Sequence, residues 1–181
     1  MWPNLRHDFD RVYTHIGYRG GLRKTLHALT NPGFQAVWSY RFRRWLMRCH
    51  VPLIGEILER FTEVWTGISI PAETQIGPGL MILHSGGVVI NGRVVLGSGC
   101  TLHHNVTIGN RVSGGPSPHI GDRVMIGVGA CVLGGIELGD DVEIGANAVV
   151  IDSVPHGGIA VGVPAKIVRV KSDAALRASL R

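Results

Sequence analysis

From Ile70 onward, aliphatic residues fall on a fixed beat of six: at 70, 76 and 82, then at 90, 96, 102 and 108, then at 120, 126, 132, 138, 144 and 150. Glycine follows at Gly77, Gly97, Gly109, Gly121, Gly127, Gly139 and Gly145. Four places after an aliphatic residue stands a small or β-branched one: Val94, Cys100, Val106, Val124, Ala130, Ile136, Val142 or Ala148. No other feature constrains this chain as strongly. A hexapeptide period predicts a parallel β-helix, in which three hexapeptides make one triangular coil. The aliphatic residue points inward on each side, and glycine permits the corner backbone. Stacked coils then bury a continuous aliphatic ladder, and the 26 glycines among 181 residues fit a fold made of many tight turns.

The beat slips twice. Eight residues rather than six separate Ile82 from Ile90, within "LMILHSGGVVING", and the slip holds His84. Twelve separate Ile108 from Ile120, where "GNRVSGGPSPH" reads as an arm leaving the prism at about 109–119. Regular coils point their side chains inward and cannot line a pocket, so function is expected at the breaks. On that reading the irregular turn exists to present His84.

Residues 1–66 lack the beat and read as a small α-helical N-terminal domain, residues 67–170 as the prism, and 171–181 as a C-terminal tail. In "NPGFQAVWSYRFRRWLMR", Phe34, Val37, Trp38, Phe42, Trp45 and Leu46 share one face of a 3.6-residue period. Pro32 and "HVPLIG" bound that helix. "LIGEILERFTEVW" reads as a second amphipathic helix, and the first 30 residues as one or two more around the Gly20-Gly21 pair. The net charge of +5 belongs to this third of the chain, which holds ten Lys and Arg against five Asp and Glu. The excess reads as a solvated helix face or as attraction to an anionic partner. The face bearing Arg41, Arg44 and Arg48 reads either as a stripe packed on its own domain or as a peripheral membrane contact through the basic N-terminal helices. No uninterrupted apolar window of about 18 residues predicts a transmembrane helix, and the N-terminus lacks a signal-peptide pattern. Cys49, Cys100 and Cys131 have no metal or redox spacing and read as reduced thiols of a cytoplasmic protein.

"GLMILHSGGVVI", "VTIGN", "VMIGVGACVLGGIELGDDVEIGANAVV" and the closing "AVGVPAKIV" resemble the hexapeptide-repeat acyltransferases, in particular the serine acetyltransferase branch. The resemblance covers about residues 67–170, and "NPGFQAV" with Trp45 is similar to the last N-terminal helix of that branch. Within it, "HSGGVVING", "VTIGNR" and "PHIG" are most similar to variants encoded with exopolysaccharide genes, of the colanic-acid acetyltransferase kind. The resemblance implies a left-handed parallel β-helix, a homotrimer, acetyl-CoA as donor, and direct transfer to an acceptor hydroxyl without a metal. It makes His84 the general base. Gly109, Asn110, Val128 and Ala146 match positions whose backbone faces the pantetheine of the donor in a groove between subunits. Lys166, with Arg169 and Lys171 nearby, is expected to meet the CoA phosphates.

Departures from the branch shape the expected acceptor. Serine acetyltransferases carry an aspartate just before that histidine, where this chain has Leu83, and another in the first coil, where it has Ser69. They carry Arg-His at the base of the arm, where it has Pro116-Ser117. A zwitterionic amino acid needs charged or strongly polar partners once desolvated. Their loss predicts an acceptor without charge on both sides, a sugar hydroxyl of an exopolysaccharide or its precursor. Serine O-acetyltransferase and a catalytically silent scaffold are the alternatives, and the presence of His84 in its irregular loop argues against the second. A backbone carbonyl, Glu73 or Glu63 is available to orient the base. His104, one coil beyond His84, is expected to lie near it across a subunit boundary, in acceptor binding or as a second base. His103 and His104 form no metal pair, because adjacent strand residues face opposite ways. His119 ends the arm, and His156 sits in a surface turn.

Overall fold

In the computed structural model, residues 2–15, 21–84 and 86–172 are described. Gly20 of the expected glycine pair and the tail from residue 173 lie outside the described residues. Fifteen short strands between Ile68 and Val170 form three sheets of five, four and six strands. Their register follows the hexapeptide beat. Ile82 pairs with Leu102, Leu102 with Ile126, Ile126 with Ile144, and Ile144 with Ala160. Ile76, Leu96, Ile120 and Leu138 form a second ladder, and Ile90, Ile108, Val132 and Val150 a third. The result is a parallel β-solenoid of about five turns. Apart from Ile76, every rung on the six-residue beat is at most 2% exposed. Burial of each such side chain contributes about 1.5–3 kcal/mol. An antiparallel hairpin, Gly158–Gly162 with Ala165–Val170, closes the last coil.

Four helices precede the prism: α1 (Trp2–His15), α2 (Leu22–Leu29), α3 (Pro32–Arg48) and α4 (Pro52–Thr66). Asn31 caps α3 by accepting from the Phe34 N–H, and Pro32 occupies its first turn, where a missing N–H costs nothing. The sidedness of α3 differs from the expectation. Phe34, Val37 and Leu46 are buried, but Trp38 and Trp45 are 43% and 44% exposed, while Arg41 and Arg43 are buried. The reason lies in the first coil. Its N–H groups donate to the second coil, as Gln75 does to Val94 and Gly77 to Leu96. Its carbonyls have no earlier coil to accept from. Arg41 therefore donates to Ile76 O (2.7 Å) and Gly77 O (2.6 Å), Arg43 to Ile70 O (2.7 Å), and Arg44 to the carbonyls of residues 72–74. Tyr40 Oη donates to Thr74 O (2.7 Å). α3 is thus the cover of an open sheet edge, and its arginines face inward rather than toward lipid. The expected membrane contact through Arg41 and Arg44 is corrected accordingly.

α1 is locked to the same coil by one carboxylate. Asp8, fully buried, accepts from Arg41 Nε (2.9 Å) and from the N–H groups of Gly79 (2.7 Å) and Leu80 (3.0 Å). Arg11 reaches the carbonyls of Gly79 and Gly99 and Thr101 Oγ1. Among the described residues no helix is long and apolar enough to cross a membrane. All three cysteines are free, and burial pushes the Cys100 thiol up to about 11, which keeps it protonated and inert.

Candidate active site

One corner of the prism gathers most of the residues singled out above. It follows the strands Met81–Leu83, Thr101–His103, Met125–Ile126 and Glu143–Ile144, and it holds His84, His104, Val128 and Ala146 in successive coils. Backbone bonds stitch it together: Asn105 N to Gly86 O (3.0 Å), Gly129 N to His104 O (3.1 Å) and Asn147 N to Val128 O (2.7 Å). Each coil carries a left-handed residue at the equivalent place here, Gly87 (φ 68°), Asn105 (φ 59°), Gly129 (φ 70°) and Asn147 (φ 56°). At Gly87 and Gly129 a Cβ would crowd the asparagine side chain of the next coil, Asn105 or Asn147, so glycine suits both places.

The first coil carries two extra residues at this corner, and His84 lies in the extra loop with φ 66°. A positive φ is uncommon outside glycine and marks a backbone held there by its surroundings. The surroundings are visible. Gly86 N donates to Thr66 O at the end of α4 (3.1 Å), and a Cβ on Gly67 would stand 2.9 Å from Gly86 Cα. The end of α4 therefore fixes the loop, and the loop leaves the His84 side chain exposed.

His84 meets His104 within one chain. Their ring centroids are 5.5 Å apart and the planes nearly perpendicular, at 86°. The His104 Nδ1 is buried and has no hydrogen-bond partner among the described residues. A third histidine, His103, is partly buried on the outer face of the same sheet. Burial holds its pKa below the usual histidine value, and the neighbouring His84, His104 and His15 push it the same way. Neither carboxylate considered for orienting the base is shown beside it: Glu63 is engaged by Arg60 at 3.0 Å, and the Glu73 side chain lies against Gly92. Among the described residues no group of three or more His, Cys, Asp and Glu is arranged to hold a metal.

The remaining expected donor residues lie elsewhere in the chain. Gly109 and Asn110 open the arm at the far end of the strand Thr107–Gly109. Gly109 O accepts from Gly134 N (2.9 Å), and Asn110 Nδ2 donates to Val112 O (3.0 Å). Lys166 is exposed on the closing hairpin, 4.0 Å from Asp152. In a single chain they do not join the histidine corner.

The four departures have structural occupations. Leu83 packs in a second apolar cluster with Leu5, Phe9, Val12, Tyr13, Ala28, Phe34 and Met81, under α1 and α2. Ser117 Oγ is 3.2 Å from Asn91 Oδ1, and a Cβ on Gly135 would stand 2.8 Å from Pro116, so both residues seat the base of the arm. Ser69 stands in the first strand, opposite Val89. The sequence offered no signal for the cluster around Leu83, because α1 and the prism meet only in space.

The family model for bacterial transferase hexapeptide (six repeats) matches residues 117–152. Over 142 residues the chain is 42% identical to the serine acetyltransferase of Helicobacter pylori, covering 77% of this chain and 83% of that protein. It is also 42% identical, over 139 residues, to the serine acetyltransferase of Mycobacterium tuberculosis, covering 76% of this chain but only 61% of the relative's length. The solved serine acetyltransferase of Brucella abortus strain S19 in complex with coenzyme A superposes with a TM-score of 0.84 at 28% identity, covering 94% of this chain and 68% of that one. These relatives overturn the expectation of a sugar acceptor from exopolysaccharide synthesis. The physical reason is that Leu83, Pro116 and Ser117 answer to helix packing and arm seating, so their identity does not report the acceptor's charge.

Proposed function

The chain belongs to the serine acetyltransferase family of hexapeptide-repeat transferases, and we propose that it transfers the acetyl group of acetyl-CoA to the side-chain hydroxyl of L-serine, with His84 as general base. The observation that carries this reading is the His84 loop: an exposed imidazole on a left-handed turn, braced by the end of α4 and abutted by His104. An imidazole is the side chain whose ordinary pKa lies nearest neutrality. His84 takes the hydroxyl proton as the oxygen attacks the thioester carbonyl. The tetrahedral oxyanion, met by backbone N–H groups of the glycine-rich corner, collapses with cleavage of the C–S bond. The departing thiolate takes the proton back from the imidazolium. His104 positions the His84 ring and lines the acceptor side.

Acetyl-CoA is placed in a groove between neighbouring copies of a homotrimer. Val128 and Ala146 continue the histidine corner, and Gly109 and Asn110 of the adjoining copy supply the opposite wall. Lys166 meets the CoA phosphates. The separation of these two sets within one chain supports a shared site.

Thiol release from acetyl-CoA with L-serine as acceptor tests the reading. Serine-dependent release is expected, and His84→Ala should lower it by roughly 10²- to 10⁴-fold while the protein stays folded. Release no faster with serine than with buffer alone would sink the proposal.

A further inference from the structure

The arm between Ile108 and Ile120 leaves the prism with its own shape already set. Val112 O accepts from Asn110 Nδ2 (3.0 Å) and from Gly115 N (3.0 Å), and Gly114 turns the tip at φ 73°. A Cβ on Gly115 would stand 2.9 Å from Val112 Cγ2, so the tip is closed tightly. Arg111 and Val112 stand out to solvent. An arm braced internally in this way is aimed by the contacts at its neck. From the following coil, Gly134 N donates to Gly109 O (2.9 Å), and Pro116 rests over Gly135, where a Cβ would stand 2.8 Å from the ring.

From the preceding coil, Asn91 reaches both sides of the neck. Its N–H donates to Ile108 O (2.8 Å), directly before Gly109, and a Cβ on Gly109 would stand 3.4 Å from Asn91 Cβ. Its Oδ1 accepts from Ser117 Oγ (3.2 Å), where the arm returns. The carboxamide is oriented without help from the arm, because Oδ1 also accepts from the Arg93 N–H (3.0 Å), the local turn that asparagine favours. The Asn91 carbonyl is held as well, by Val94 N (3.0 Å) and Thr74 Oγ1 (3.4 Å). Arg93 then reaches Gly114 O at the tip (3.4 Å). This turn lies between the strands Val88–Ile90 and Val95–Leu96, away from the histidine corner. We propose that Asn91 is a positioning residue for the donor, a role that rests on the reading of Gly109 and Asn110 as one wall of the donor groove. Asn91 clasps the neck through Ser117 and so fixes that wall, without touching acetyl-CoA itself. A clasp of this kind acts on the bound donor and on the transition state alike, so it shows in KM and not in kcat.

Calorimetric titration of the full chain with CoA reads the clasp without any acceptor. Ser117→Ala removes one neutral hydrogen bond and should raise the CoA dissociation constant by roughly 3- to 10-fold. Ser117→Thr, which keeps the hydroxyl, should restore it. Asn91→Ala should weaken binding at least as much, and adding Ser117→Ala to it should cost nothing further, because both changes break the same bond. In thiol-release kinetics with serine, the acetyl-CoA KM should rise by the same factor at unchanged kcat. The melting temperature of Ser117→Ala should stay with the wild type, since the bond lies outside the aliphatic ladder. Wild-type CoA affinity in Ser117→Ala, or independent losses in the double variant, would overturn the clasp. So would a rise confined to the serine KM, which would put Ser117 on the acceptor side. If Asn91→Ala does not fold, the two Ser117 variants decide alone. Wild-type protein that binds CoA yet acetylates no serine would sink the proposed activity, and the CoA affinities would still decide the clasp.

Discussion

The prism and the helical layer are held together by different physics. The prism repeats one weak decision many times: an aliphatic residue inward, a glycine or asparagine at the corner, a register fixed by the coil below. Its ladder residues touch like residues above and below, so each rung is supported by its neighbours. The helical layer rests on a few singular contacts. Asp8 ties α1, α3 and the first coil together at one point, and Arg41, Arg43 and Arg44 satisfy carbonyls that no β-strand reaches. A repeat spreads its stabilisation over many equivalent sites, whereas a buried ion pair concentrates it in one.

Removing Asp8 should show the contrast at its largest. Asp8→Ala leaves Arg41 buried without its carboxylate and two N–H groups without an acceptor, so a loss of about 3–5 kcal/mol is expected. Calorimetry should then show the helices melting ahead of the prism, as two transitions. Ile126→Ala, in the middle of the ladder, should cost about 2–5 kcal/mol by transfer and cavity terms yet keep one transition. A single unshifted transition for Asp8→Ala would remove the distinction between the regions.

Leu83 sits where the regions meet, and Leu83→Asp sharpens the comparison. The new carboxylate would face Phe9, Tyr13 and Phe34, and a loss of about 2–3 kcal/mol follows from desolvating it among apolar groups. The serine KM should not improve. A variant as stable as the wild type with a markedly lower KM for serine would show that position 83 belongs to the acceptor site rather than to helix packing.

This division also sets what could be read from the chain. The beat of six specified the solenoid, its coil register and the breaks in it, because each rung is local and repeated. The His84 loop was legible as a break for the same reason. The inward face of α3 was not. Periodicity grouped Trp38 and Trp45 with Phe34, yet the first coil's unpaired carbonyls demanded arginines on that side, a demand visible only once the coil exists. The same holds for Leu83: in the sequence its departure from the family pattern points to acceptor chemistry, whereas in the fold the side chain packs against α1. The contact of His84 with His104 inside one chain depended on how far the two extra residues carry the loop.

The smallest effect concerns pH at the seam between the regions. His103 looks out from the prism strand Thr101–His103. The groups acting on it are His84 and His104 on the same corner and His15 from the last turn of α1. All are potential cations, and burial acts in the same direction, so the folded protein binds this proton less readily than the unfolded chain. The sign follows from linkage. The unfolded chain takes up the proton as pH falls through about 6.5, while the folded protein resists until lower pH. The contribution of His103 is therefore complete above about pH 6.5 and is lost progressively as pH falls below it. Asp141 behaves separately: its bond to Arg123, first, and the charges of Arg123, His156 and Lys171 hold its carboxyl below the ordinary value, so its contribution fades only in the acidic range below the ordinary aspartate value of about 3.9. The melting temperature should fall between pH 7.5 and pH 5.5, and His103→Gln should flatten that part of the profile while leaving the steeper acid limb in place. A profile of His103→Gln that parallels the wild type across this interval would show that the seam does not sense the proton and that the pH dependence arises elsewhere.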